Sequence, residues 1–86
     1  MDNREELTSD EVLGFRILIM RTLRRLNQAE FAEACGVKII DVERWETAMQ
    51  PVKARELARI AAALETSPNF LLGFRDRLRV DKVSSD

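Results

Sequence analysis

Histidine is absent from this 86-residue chain, and cysteine occurs once, as Cys35. A lone thiol cannot close an internal disulfide, and without histidine no structural zinc site is expected. No apolar run approaches the roughly 20 residues that a membrane span needs. The run of large apolar residues at 17–20 sits between Arg16 and Arg21. The N-terminus has no basic stretch leading into an apolar segment, so it does not read as a secretory signal. These absences suit a reduced cytoplasm. Glycine-rich phosphate loops are also missing, and the paired acids occur only at helix starts or in the N-terminal leader, where capping explains them. No activated nucleophile stands out, because no base or helix start acts on Cys35. The expectation is no enzyme activity, no cofactor, no metal and no small-molecule substrate.

What remains is a short, charged, helical chain. Its length suffices for one small domain with a modest core. Hydrophobic residues make up 45% and charged residues 34%. Net charge is −1 and the sequence pI is near 5.5, which does not advertise nucleic-acid binding. The distribution says slightly more. Residues 1–10 hold four acids and one arginine, whereas residues 11–60 hold nine Lys/Arg against seven Asp/Glu. The centre of the chain is therefore mildly positive. No alternating β pattern, internal repeat or low-complexity block is visible, so the fold class is all-α.

Start signals mark the helices. Thr8 and Glu11 have capping-box spacing, with Leu7 and Val12 placed as a hydrophobic staple. The helix that follows is expected to run to about Arg25, with Leu13, Ile17 and Met20 facing inward. Asn27 and Glu30 repeat the device, with Leu26 and Phe31 at staple spacing. A third helix is expected over residues 38–47 and a fourth over residues 53–64, where Leu57, Ile60, Ala61 and Leu64 share a face. Pro51 lies in the connection, since proline disrupts a helix interior. Ser67 and Pro68 open a short fifth helix over residues 69–72. Residues 1–7 read as an acidic leader, 8–74 as the domain, and 75–86 as an extension frayed beyond about Val80.

Residues 28–46 are the most informative. Small or apolar residues fall at Phe31, Ala32, Cys35, Gly36, Val37, Val42 and Trp45. Two short helices that cross closely through a tight turn need this pattern. Ala32 leaves room for the second helix, and Gly36 can take the left-handed conformation that ends the first. Val42 and Trp45, three apart, point back into a shared core. That arrangement is a helix-turn-helix, whose second helix commonly enters the DNA major groove.

With these residues in place, the chain resembles the phage-repressor/Cro-like helix-turn-helix family, also called the XRE family. The match spans about residues 13–73. It includes Leu13 to Ile17, Met20-Arg21, Leu26-Asn27-Gln28, Ala32, Gly36-Val37, Trp45-Glu46, Ile60-Ala61, Ala63-Leu64 and Phe70 to Gly73. The resemblance implies a compact five-helix lambda-repressor-like domain that binds DNA, is usually a dimer, and regulates transcription. It implies that Gln28 anchors a DNA phosphate at a helix N-terminus, and that Arg21 and Glu46 form a largely buried salt bridge. It also shows departures. Arg25, Ala48 and Glu65 stand where the family often has glycine, so those turns either relax or hold a left-handed side chain. Lys53 replaces the usual Ser/Thr cap of the fourth helix.

The expected DNA face follows from placing Val42 and Trp45 inward. Ile39, Ile40, Glu43, Arg44 and Thr47 then face outward toward bases, with Lys38, Asn27 and Arg24 beside Gln28 as phosphate contacts. Arg44 could bond guanine, and Glu43 could accept from cytosine. Ile39 and Ile40 could make only apolar contacts, for which thymine methyls are the available partners. The first helix is apolar over most of its circumference, since Phe15, Leu18 and Ile19 extend beyond the inward stripe. A second subunit, the leader or the tail could cover it; Phe70 and Phe74 complete the dimer candidates. Two functions stay open: a homodimeric, sequence-specific regulator of transcription bound to double-stranded DNA, or a protein-interaction or antitoxin-like module using the third helix as its partner surface.

Overall fold

A computed structural model describes residues 8–73, so the expectations for the leader, Phe74 and residues 75–86 lie outside the described residues. Five helices follow one another: α1 Ser9–Leu23, α2 Gln28–Cys35, α3 Ile39–Glu46, α4 Ala54–Ala63 and α5 Pro68–Leu72. No strand occurs among the described residues, and no helix there is long and apolar enough to cross a membrane. Both expected capping boxes form. Thr8 Oγ1 accepts from the Glu11 N–H while Glu11 returns to the Thr8 N–H, and Asn27 and Glu30 do the same at α2. Lys38 and Lys53, which lack an accepting side chain, get half of the device. Asp41 and Glu56 reach back to their backbone N–H groups at 3.1 and 2.9 Å. Ser67 caps α5 through the Phe70 N–H, with Pro68 in the first turn.

The elements meet on one core of Leu13, Ile17, Phe31, Ala32, Cys35, Val42, Trp45, Ile60, Ala61, Leu64 and Leu71. Every residue in that set is at least nine-tenths buried, and Met20, Leu26 and Leu57 pack against its edge. α1 packs against α3 and α5, α2 against α3 and α4, and α4 against α5. Cys35 is a buried hydrophobe at the end of α2. Burial pushes its thiol up to about 11, with nearby Arg59 opposing in part, so it is not a nucleophile at neutral pH.

α1 stops at Leu23, two residues short of the expected Arg25. Arg24 is its C-cap and Arg25 turns left-handed at φ 60°. Ala48 and Glu65 do the same at φ 60° and 57°. The three turns that lack glycine therefore keep the glycine geometry rather than relaxing, whereas Gly36 at φ 73° adopts it freely. A left-handed side chain costs about 1–2 kcal/mol, so Ala48→Gly should raise stability by roughly 0.5–1 kcal/mol once backbone entropy is set against that relief. Urea unfolding followed by circular dichroism measures it. A loss of stability would mean that the Ala48 methyl earns its place through packing.

Candidate nucleic-acid interface

The joint between α2 and α3 begins at Gly36, whose N–H closes onto Ala32 and Glu33 carbonyls before the chain re-enters a helix at Ile39. Val42 and Trp45 hold α3 down with almost no exposed surface. The opposite side of α3 is left open. Lys38, Ile39, Ile40, Glu43, Arg44 and Thr47 are all exposed, the two isoleucines at 46% and 42%. The start of α3 is pinned by Asp41, which accepts from the Lys38 N–H and from Gln50 Nε2 at 3.2 Å. The Lys38 N–H bond, with the Gln50 one, holds the Asp41 carboxyl below its usual range. The Thr47 hydroxyl donates back to the Glu43 carbonyl at 2.8 Å, so its lone pairs are the part that faces outward.

Glu46 ties this surface to the rest of the fold. Arg21 grips it with both edges of its fork, Nε to Oε2 at 2.6 Å and a terminal nitrogen to Oε1 at 3.1 Å. A third guanidinium N–H reaches the Leu26 carbonyl at 2.8 Å. The Arg21 and Glu46 side chains are 12% and 4% exposed. Gln28 Nε2 adds a bond of 3.1 Å to Glu46 Oε1. One carboxylate therefore joins α1, the first residue of α2 and the last of α3. That link between Gln28 and Glu46 was invisible in the sequence, where Gln28 stood only for a phosphate contact.

The other expected phosphate contacts divide. Lys38 is exposed beside the start of α3. Asn27 spends its side-chain oxygen on the α2 cap. Arg24 turns away to α4, donating to the Leu64 carbonyl at 3.1 Å and pairing with Glu65 at 3.1 Å. It therefore closes the end of α4, whose carbonyls lack helical partners. Among the dimer candidates, Phe15 and Ile19 are exposed, while Leu18 and Phe70 are half-buried. Phe70 sits under the Arg16 guanidinium, 5.7 Å from ring centroid to Cζ, and its carbonyl accepts from Arg16 at 3.2 Å.

Sequence reasoning undervalued Gly14. A Cβ there would collide with the backbone carbonyl of Trp45 and lie 3.2 Å from that of Glu46. α1 and α3 thus approach until one side chain has no room. Glycine inside a well-signalled helix was the available clue.

No protein-family model and no curated protein matches the chain. Solved structures do. The P22 c2 repressor protein, crystallised with synthetic operator 9T, is similar at TM-score 0.66 and 27% identity, covering 69% of this chain and 89% of that one. The clp gene regulator ClgR from C. glutamicum gives TM-score 0.73 and 27% identity over 78% and 87% of the two chains. A hypothetical transcription factor, NHTF from Neisseria, gives 0.72 and 25% over 83% and 81%. By the path of its five helices and the joint between α2 and α3, the chain has a lambda-repressor-like helix-turn-helix fold.

Proposed function

We propose that this chain is a sequence-specific DNA-binding regulator of transcription that acts as a homodimer. The observation that carries the reading is the open face of α3, held rigidly by buried Val42 and Trp45 and linked through Glu46 to Gln28. Its likeness to a repressor bound to operator DNA supports the same reading. In this scheme Gln28, with the free N–H groups at the start of α2, grips a phosphate, and Lys38 supports it from the next helix. Arg44 bonds a guanine edge or a phosphate. Ile39 and Ile40 press on thymine methyls, the apolar feature of the major groove. Two copies would address half-sites about one helical turn apart.

The test is a titration of a random duplex pool at two salt concentrations, followed by variants on the selected site. Binding should weaken steeply with salt. Gln28→Ala should weaken binding to all sequences, while Arg44→Ala should also shift preference among sites, by about 1–3 kcal/mol at the affected base pair. Replacing thymine by uracil in the half-site should weaken the parent and leave an Ile39→Ala, Ile40→Ala variant unaffected. No shift in dilute buffer, or both single variants binding as the parent does, would overturn the assignment. The exposure of two isoleucines beside Glu43 favours one competing reading, a protein partner docked on α3. In that case Ile40→Asp abolishes a protein complex and leaves DNA binding as it was.

A further inference from the structure

The outward face of α3 includes a carboxylate, Glu43, that phosphate recognition leaves without a role. It is exposed, and neither its side chain nor that of Arg44 makes a hydrogen bond or salt bridge among the described residues. In a groove flanked by phosphates an unpartnered carboxylate is repelled and stripped of water, so it is tolerated only where a base supplies a donor. The donors in the major groove are cytosine N4 and adenine N6. Adenine N6 lies between two acceptors, its own N7 and thymine O4. Cytosine N4 has an acceptor on one side only, guanine O6, and carbon C5 on the other.

The neighbours of Glu43 fit the cytosine pattern. At about 100° per residue, the side chains follow one another round the outward arc as Arg44, Ile40, Thr47, Glu43 and Ile39. Ile39 is four residues from Glu43, so the two are neighbours on the helix surface, and Arg44 lies on the other flank. A cation, an anion and an alkyl group therefore succeed one another across the helix. A guanine–cytosine pair shows two acceptors, a donor and then carbon C5, in the same order. There Ile39, 46% exposed, meets a bare C–H in ordinary cytosine and a methyl group in 5-methylcytosine.

We propose that α3 reads a guanine–5-methylcytosine pair, with Arg44 on guanine N7 and O6, Glu43 on the cytosine N4 amino group and Ile39 on the 5-methyl group. Ile40 keeps the thymine methyl of a neighbouring pair. The inference rests on α3 being the DNA-facing helix, and it names the substrate class as C5-methylated duplex DNA. An adenine–thymine pair keeps a methyl group but sets O4 against Glu43. An unmethylated pair keeps the donor but gives Ile39 no methyl. Of the three edges, the methylated pair alone satisfies all three side chains.

The test is selection from two random duplex pools, one made with cytosine and one with 5-methylcytosine, followed by anisotropy titrations of the selected half-site. The parent should bind the methylated site roughly three- to fivefold more tightly per half-site, the effect of one buried methyl group. It should also prefer that site to one carrying adenine–thymine at the same pair. Ile39→Ala should bind both cytosine forms alike. Glu43→Gln should move the preference toward adenine–thymine, because a glutamine amide pairs with adenine N6 and N7. Both side chains are exposed, so helicity should stay as in the parent. Equal affinity for the two cytosine forms, a methyl preference that survives Ile39→Ala, or an unchanged base preference in Glu43→Gln would overturn the inference and leave DNA recognition by α3 standing. No binding to either pool in dilute buffer would sink the DNA-facing reading of α3, and this assignment with it.

Discussion

Glu46→Ala should destabilise the domain by about 3–5 kcal/mol, because breaking one side of a buried ion pair strands the other charge. The stranded group is Arg21, 12% exposed, which would keep only the Leu26 carbonyl. Small domains lose roughly 4–8 °C of melting temperature per kcal/mol, so the midpoint should fall by roughly 12–40 °C. Urea unfolding measured by circular dichroism would give the free energy directly. Glu46→Gln should lie between, since an amide keeps one acceptor for Arg21 but no charge. A loss below about 1 kcal/mol for the alanine variant would rank the pair with solvent-screened surface bridges. Affinity for DNA should fall with it, because Gln28 loses the acceptor that orients its amide.

The second large effect belongs to Gly14. Glycine to alanine inside a helix normally gains about 1 kcal/mol from propensity. Here the new methyl would meet the Trp45 carbonyl, a backbone atom that moves only if α3 moves. Overpacking of this kind costs about 1–3 kcal/mol, so the net for Gly14→Ala should be a loss, and Gly14→Val should reach the upper end of that range or beyond. Gly36→Ala is the instructive control. Nothing lies within 4 Å of a Cβ there, and φ is +73°, so its loss is pure backbone strain of about 1–2 kcal/mol. Thermal unfolding of the three variants separates the mechanisms. If Gly14→Ala raised the melting temperature, the tight crossing of α1 and α3 would be wrong.

These two sites differ in how far the sequence revealed them. Short-range chemistry was legible: Thr8 with Glu11 and Asn27 with Glu30 announce helix starts through groups three residues apart, and both boxes form. The inward stripes were legible because burial repeats with the helical period, which is why Ile17, Val42, Trp45 and Ile60 could be assigned. The Arg21–Glu46 pair entered through family resemblance, since no local pattern joins residues 25 apart. Contacts that depend on how helices cross were hidden. Arg24 reads in the sequence as a phosphate contact, and its bond to the Leu64 carbonyl, 40 residues away, becomes visible only when α4 is in place. Gly14 reads as a weak helix residue until α3 arrives. The left-handed turns at Arg25, Ala48 and Glu65 were left open because three side chains can tolerate that geometry only when the flanking helices fix it.

Trp45, the one tryptophan, is 1% exposed on the inner side of the helix that faces outward, and its indole nitrogen has no hydrogen-bond partner among the described residues. Its excited state therefore relaxes in a dry, apolar setting, and its fluorescence should be blue-shifted and shielded from dissolved quenchers. Any motion that lifts α3 from its bed lets water reach the ring and turns the colour red. The protein thus carries its own optical gauge of whether its outward-facing helix is seated, with no label added.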